Sequence, residues 1–461
     1  MRPVLLFGGL TEAHDRLLEA TLRGFGYEAR RLPTPDNEAL RIGKEYCNRG
    51  ECNPVYYTVG NLLKFLFELR ESGVDRIEER FVFVTVGSCG PCRFGMYETE
   101  YRKALREAGF ENFKVVALDQ GRALTEELEE AGVRLTRPLV LALLKAVVIG
   151  DLLNDLYYRV KPYEVEKGDT DRWREQSLQK LEGALRAGRD PLPVLKEVWR
   201  DLSEVEVDLL RPKPRVKIIG EFFAQTTEGD GNYRLARWLV EEGAEPSVEP
   251  VVGWILYLVH QKALEVRIDP EGSKLQKLTR LAKLKLLDLL VRFYYARFRR
   301  ALGNKPSPLK DPAKLAKLAA PYYHPRLVGG EGFLEVAKHL EAFGNRSADL
   351  VVSVKPFGCM PSTQSDGVQA KVVEDLGSLF VSVETSGDAE ANAKSRILMK
   401  LYEARERALA EFEETKRRLG LTEGRISELL KRKPELRRAT AVLPERSSVT
   451  AVNALYYLAG A

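Results

Sequence analysis

Two rhythms of apolar and polar positions alternate along the first 120 residues. Short apolar runs, VLLFGGL at 4–10, YEARRL at 27–32, FVFVTV at 81–86 and FKVVAL at 113–118, read as strands. Between them, apolar residues recur at helical spacing over Glu12–Gly24, Asn37–Glu45, Pro54–Glu71 and Phe94–Ala108. Strands alternating with amphipathic helices predict a parallel, doubly wound sheet, here a first α/β domain over residues 1–123. The pattern turns helical from Leu124, giving a helical region over 124–212.

A second α/β rhythm opens at RVKIIGEFFA (215–224) and continues through a predicted helix Tyr233–Glu242, stopped by Gly243, and a strand-like piece near Glu245–Val251. Its remaining strands, DLVVSVKPFG (349–358) and LFVSVET (379–385), return only after a helical insertion at about 273–345. This gives a discontinuous second domain over 213–388. Residues 389–461 follow as C-terminal helices, and the last fifty, charge-rich until ATAVLP, are expected to form a loosely attached tail. The predicted fold class is α/β, with two doubly wound parallel-sheet domains and helical insertions.

The chain of 461 residues is too long for one core, and 44% apolar with 30% charged residues are globular values. Its 72 basic and 67 acidic side chains nearly balance at +5, which argues against dedicated nucleic-acid binding. The N-terminal apolar run breaks at Gly8-Gly9 and reads as a strand rather than a signal peptide. The longest apolar stretch, PLVLALLKAVVIGDLLNDLYY, is interrupted by Lys145 and Asp151, short of the roughly 20 residues that span a bilayer. A cytoplasmic protein without a membrane or nucleic-acid partner is expected, and five cysteines, an odd number, fit reduced thiols better than a secreted disulfide framework.

Those cysteines, Cys47, Cys52, Cys89, Cys92 and Cys359, all lie in glycine- or proline-bearing loops rather than on apolar core faces. Each loop also ends near a predicted helix start: Asn53 as cap with Pro54 behind Cys52, the helix directly after Cys92, and Pro361 two beyond Cys359. A helix N-terminus favours negative charge, so a thiolate there becomes a better metal ligand. Two of the three loops follow strands at Val86 and Val354, the sheet edge at which open α/β folds bind ligands. Three chemistries compete. Cys89 and Cys92 form a CxxC pair of thioredoxin type, but that leaves three loop cysteines without a role. Zinc accepts four of the five thiolates, although structural zinc usually holds small, poorly cored modules. A cuboidal iron–sulfur cluster, which takes thiolates from separated loops, fits the pattern best.

Other features are weighed against simpler readings. After Cys359, Ser362, Thr363 and Gln364, with Ser365 and Asp366, offer hydrogen bonds to a cluster or ligand, or make an ordinary polar helix start. Glu221, Glu228, Asp230 and Asn232 share one strand-to-helix loop facing the Cys359 edge, where turn and capping chemistry is the simpler account. Lys274–Arg300 carries nine basic residues and one acid, Asp288, interleaved with leucines at helical spacing. That stretch reads as the solvated side of a core-packing helix, with contact to CoA phosphates or an acidic partner as the functional option. The four histidines show no ligand spacing with the cysteines, and no GxxxxGK[ST] phosphate loop occurs, so the chain has no ATP site of its own.

The stretches GKEYCNRGECNPVYYTVGNLL, TVGSCGPCRFGMYETEYRKALREAGF, GEFFAQTTEGDGNYRLARWLVEEGAEP and SVKPFGCMPSTQSDGVQAKV resemble the 2-hydroxyacyl-CoA dehydratase-like iron–sulfur proteins. Within that family they are most similar to the module found fused behind an ATP-dependent CoA-enzyme activase domain. The resemblance covers most of residues 1–405. It implies two α/β domains meeting over a cleft that holds a [4Fe–4S] cluster or, in one branch, a double cubane. It also implies an ATP-hydrolysing activase as electron donor, a CoA thioester or small molecule as substrate of a dehydratase or reductase, and pairing with a homologous subunit or a second copy. Cys89, Cys92 and Cys359 match the family loops, and Cys47 and Cys52 match the module's first cysteine loop. Five thiolates are one short of the six expected for a double cubane, which favours a single cluster with one cysteine spare. A non-catalytic relay subunit that docks an activase is the competing class, followed by a zinc-stabilised or thiol-redox protein.

Overall fold

The computed structural model describes residues 3–87, 92–118, 132–134, 136–270, 272–327 and 329–460. Among the described residues, eight strands form two sheets. The first contains β1 (Val4–Phe7), β2 (Ala29–Arg31), β3 (Phe81–Val86) and β4 (Lys114–Leu118) in the order β2-β1-β3-β4. The second contains β5 (Arg215–Gly220), β6 (Glu245–Ser247), β7 (Leu350–Pro356) and β8 (Phe380–Thr385) in the order β6-β5-β7-β8. Every pairing is parallel, so the two sheets share one topology although their sequences show no repeat. Strand β7 is nearly continuous in burial along LVVSVKP, as a parallel strand covered on both faces must be. In each sheet the strand order reverses beside the first strand, between β1 and β3 and between β5 and β7. A crevice opens at such a point beyond the carboxyl ends of the strands.

The helices Asn37–Tyr46 and Asn53–Glu71 bracket the first cysteine loop and cross with almost no space between their backbones. A Cβ on Gly43 would come within 1.9 Å of the Tyr56 carbonyl oxygen, and one on Gly60 within 1.8 Å of that of Ala39. Only glycine permits this approach, and it fixes the exit of Cys47 relative to the entry of Cys52.

Several element boundaries differ from the sequence expectation for physical reasons. The helix Asn53–Glu71 is preceded by Cys52 in the cap position, whereas Asn53, expected as the cap, donates its Nδ2 to the Thr385 carbonyl oxygen at 2.5 Å. The helix expected from Tyr233 begins at Leu235, because Tyr233 and Arg234 both adopt left-handed backbone conformations (φ 61° and 52°). The segment after Cys92 opens with a 3-10 turn, Arg93–Met96, before the helix Tyr97–Glu107.

The largest difference concerns the C-terminus, which is not a loosely attached tail. The helix Thr450–Ala459 buries Ala451, Val452, Ala454, Leu455 and Leu458 in the same core as the helices Arg137–Val160, Asp169–Arg186 and Pro191–Leu202. Thr450 donates to Glu245 of β6 at 2.6 Å, Ser448 donates to Asp349 at 2.6 Å, and a β-bridge joins Arg438 to Glu206. The charged run before residue 440 masks the apolar content of the last ten residues. No described helix is long and apolar enough to cross a membrane.

Candidate functional site

Three cysteine-bearing loops meet where the carboxyl ends of β3 and β7 face one another. Cys52 caps the helix Asn53–Glu71, Cys359 caps the helix Met360–Leu376, and Cys92 precedes the turn into the helix Tyr97–Glu107. Their backbones are extended at these positions, and none of the three side chains is used for a capping hydrogen bond. The backbone N–H groups of Val55, Phe94 and Ser362 lie beside the Cys52, Cys92 and Cys359 thiols and favour their deprotonated forms.

The loops are locked together by backbone contacts rather than by the thiols. Arg93 Nη1 donates to the Gly50 carbonyl oxygen at 2.6 Å, and Asn53 N donates to that of Phe357 at 3.3 Å. Gly358 lies between these two links with φ of +82°, and a Cβ there would sit 3.1 Å from Arg93 Nη1 and 3.5 Å from Cys52 Cα. The chain turns left-handed at the closest point of the crossing, which explains the glycine before Cys359. On the other side, Tyr56 Oη donates to the Asn48 carbonyl oxygen and accepts from Glu51 N, both at 3.0 Å.

Cys52 and Cys359 are 8% and 9% exposed, and Tyr97 Oη lies 3.0 Å from Cys52 Sγ. Cys359 Sγ donates to Ser362 Oγ at 3.3 Å, and Ser362 Oγ donates to Glu335 Oε1 at 2.8 Å, forming a thiol–hydroxyl–carboxyl chain. Glu331 Oε1 accepts from Phe222 N at 2.7 Å, and Glu221 Oε2 accepts from Ala224 N at 2.8 Å. Among the described residues, Glu331 Oε2 and Glu335 Oε2 are buried without a hydrogen-bond partner.

Burial dominates the electrostatics. It pushes the Cys52 thiol up to about 11, with Tyr97 opposing and Glu221 adding to the shift. It pushes Cys92 up to about 12, with the charges of Glu331, Glu221 and Cys52 acting in the same direction. Cys359 is raised further, by burial and then by Glu221. Burial likewise lifts the Glu221 and Glu335 carboxyls to about 7, and Glu331 is driven well above the carboxylate range by burial and by the Glu221 and Glu335 charges. The site thus gathers buried carboxyls and thiols that all ionise less readily than free ones, with Lys338 and Lys355 only partly offsetting the shift at Glu335. A bound cation reverses that balance by favouring every deprotonated form.

The structure brings the loops of Cys52, Cys92 and Cys359, with Ser362, together and sets Cys47, Thr363 and Gln364 apart from them. Cys47, raised to about 12 by burial and then by Glu100, has Glu100, Lys103, Glu51 and Glu107 as its charged neighbours rather than Glu221 or Glu331. Cys89 lies outside the described residues. Thr363 and Gln364 are exposed: Thr363 Oγ1 donates to the Cys359 carbonyl oxygen at 2.8 Å, and Gln364 Oε1 accepts from Tyr323 Oη at 3.2 Å. Of the four polar residues after β5, Glu221 alone joins the thiols. Glu228 accepts from Glu12 N at 2.7 Å and from Arg174 at 2.9 Å, Asp230 accepts from Asn37 N at 3.0 Å, and Asn232 Oδ1 accepts from Leu235 N at 3.4 Å. Of the histidines, His14 and His339 are buried in hydrogen bonds to Thr11 and to Gln369 and Ser378.

Glu331, Glu335 and Tyr97 escaped the sequence reading. The first two lie in GGEGFLEVAKHL, within the presumed helical insertion, where a glutamate inside an apolar helical run was the available signal. No three or more His, Cys, Asp or Glu side chains among the described residues form a group able to hold a metal ion. The donor set nonetheless fits a thiophilic metal centre in kind, with buried cysteines at helix starts and orphaned carboxyl oxygens nearby. No family model matches the chain, and a search of curated proteins finds no match. The likeness to dehydratase-like proteins therefore rests on the cysteine motifs themselves.

Proposed function

We propose that this chain holds an iron–sulfur cluster, a [4Fe–4S] centre, in the cleft between its two sheets, on Cys52, Cys92 and Cys359 together with Cys89 of the CxxC loop. Cys47 is then the spare cysteine. The observation that supports this reading is the approach of three loops distant in sequence: Gly358, beside Cys359, lies against Cys52, and Arg93, beside Cys92, bonds the Gly50 carbonyl oxygen. When bound, such a cluster supplies low-potential one-electron chemistry. The electrons would come from an ATP-dependent activase, and a CoA thioester or small molecule would be the substrate of a dehydratase- or reductase-like reaction.

The chain's own residues have definable parts in this. The Ser362 hydroxyl and Glu335 carboxyl give the Cys359 proton a path away from sulfur as the thiolate forms. Tyr97 places a hydroxyl against Cys52 sulfur, where a hydrogen bond tunes a bound metal's potential. Arg93 and Gly358 hold the three loops in register.

The test is the iron, acid-labile sulfide and zinc content of anaerobically purified protein, with visible and EPR spectra before and after reduction. About four iron and four sulfide per chain, with an absorption that bleaches on reduction, are expected. Cys52→Ser, Cys92→Ser and Cys359→Ser should each lose most of the iron, whereas Cys47→Ser keeps it. A colourless protein with about one zinc and no sulfide would overturn the reading.

A further inference from the structure

Among the described residues, the helix Lys274–Ala301 carries more exposed large apolar side chains than any other element, and it packs on a core along only part of its length. Only its C-terminal half enters a core, through Val291, Tyr295 and Phe298. No residue from Lys274 to Leu290 is buried. Leu275, Leu278, Leu286, Leu289 and Phe293 are 73%, 65%, 58%, 52% and 55% exposed. With the exposed Ala282 they form one row, spaced 3, 4, 4, 3 and 4 residues apart. At about 100° per residue all six fall within about 40° of a single line.

The spacing is an 11-residue repeat, Leu275, Leu278 and Ala282 being followed eleven residues later by Leu286, Leu289 and Phe293. This period drifts only about 20° per repeat along an α-helix and is the one that pairs helices with a slight right-handed supercoil, so a second helix can follow the row. Ala282, small and set between Leu278 and Leu286, leaves a hole for a partner's side chain in the manner of helix–helix packing. A lipid surface requires neither the register nor the hole.

Charge selects the kind of helix. Lys274, Lys285 and Arg292 flank the row on one side, and Lys283 and Arg297 on the other. Lys274, Arg280 and Lys283 make no ion pair among the described residues, while Lys285 and Arg292 share the single acid, Asp288. Nine basic residues and one acidic give this helix +8, against +5 for the whole chain, so everything else together carries −3. Two copies of the row laid together would oppose lysine to lysine.

We propose that the exposed row of the helix Lys274–Ala301 is the docking surface for an amphipathic helix of a different protein, one whose apolar stripe is flanked by glutamate or aspartate. Complementary flanking charge fixes the partner's identity and register, and the leucines supply the affinity. The surface lies on a different element from the cysteine cleft, so the inference stands whether or not the chain carries a cluster.

The experiment uses the full chain and two synthetic 21-residue helices with leucines at the same 3-4-4-3-4 spacing, one with glutamates and one with lysines on both flanks. By fluorescence anisotropy, the glutamate peptide is expected to bind at least about tenfold more tightly than the lysine peptide, and to weaken by about tenfold from low to high salt. The double variant Leu278→Glu, Leu289→Glu should abolish binding with the circular dichroism and unfolding midpoint unchanged, since both side chains are exposed. Equal binding of the two peptides, binding of neither, or binding that survives the double variant would overturn the proposal. So would self-association on sedimentation, or sedimentation with vesicles of phosphatidylglycerol, that the same double variant abolishes. The first would assign the row to a second copy and the second to an anionic bilayer.

Discussion

Replacing Glu335 by glutamine in the metal-free protein isolates the electrostatic cost of the candidate site. The side chain is 1% exposed, and burial lifts its carboxyl from the ordinary 4.5 to about 7, with Glu221 adding and Ser362, Lys338 and Lys355 opposing. A raised carboxyl retains its proton in the folded chain over a range in which the unfolded chain has released it. The contribution to stability is therefore full below about pH 4.5 and is lost as pH rises toward about 7. At about 1.4 kcal/mol per pH unit, the difference corresponds to about 3 kcal/mol of destabilisation above pH 7. Glutamine keeps an acceptor for the Ser362 hydroxyl and carries no charge. Urea unfolding of reduced, metal-free protein from pH 5 to pH 8 should show the two proteins close together at the acid end. Glu335→Gln should be more stable by about 3 kcal/mol at the alkaline end. Glu221 and Glu331 titrate in both proteins, so the difference between the curves, not either slope alone, reports Glu335. Parallel curves, or a glutamine variant that loses stability at pH 8, would refute the reasoning.

Two further substitutions examine the scaffold. Gly358→Ala forces a Cβ into a left-handed residue 3.1 Å from Arg93 Nη1, and should cost about 1–3 kcal/mol by urea unfolding while lowering the iron retained on anaerobic purification. Leu455→Ala empties a fully buried position in the largest core and should cost about 2–5 kcal/mol. A loss under about 1 kcal/mol would mean that the C-terminal helix is peripheral to the fold.

The sheets were legible because their strands are short apolar runs set between amphipathic helices. FVFVTV and LVVSVKP appear as β3 and as the most buried strand, β7. The helix Glu12–Gly24 has the bounds its pattern predicts. Boundaries failed where tertiary contacts overrode local preference. Asn53 is an excellent cap by residue type, yet its side chain reaches Thr385 in the other sheet, 332 positions away in sequence. The C-terminal helix failed for a different reason. Its ten residues, TAVNALYYLA, follow a charged run, and their burial depends on a core built from helices far upstream.

The cysteines were conspicuous because thiols in glycine-rich loops are unusual; Glu331 and Glu335 were hidden because glutamate just before or inside a helix is not. Yet Glu331 and Glu335 are the costlier choice. Each is buried, each leaves an oxygen without a partner among the described residues, and each raises the energy of ionising its neighbours. Apolar residues of similar volume would make a more stable cleft in the empty protein. A sequence that buries these acids beside thiols, with too few lysines to neutralise them, keeps the acids protonated over a wider pH range than free carboxyls. A [4Fe–4S] core of the proposed kind, bound by four thiolates, would be net negative, so metal content and the pH dependence of the Glu335 variant are linked measurements. Loading the cluster should therefore preserve or enlarge the gain in stability that glutamine confers above pH 7, and loss of that gain in the loaded protein would count against a thiolate-bound cluster.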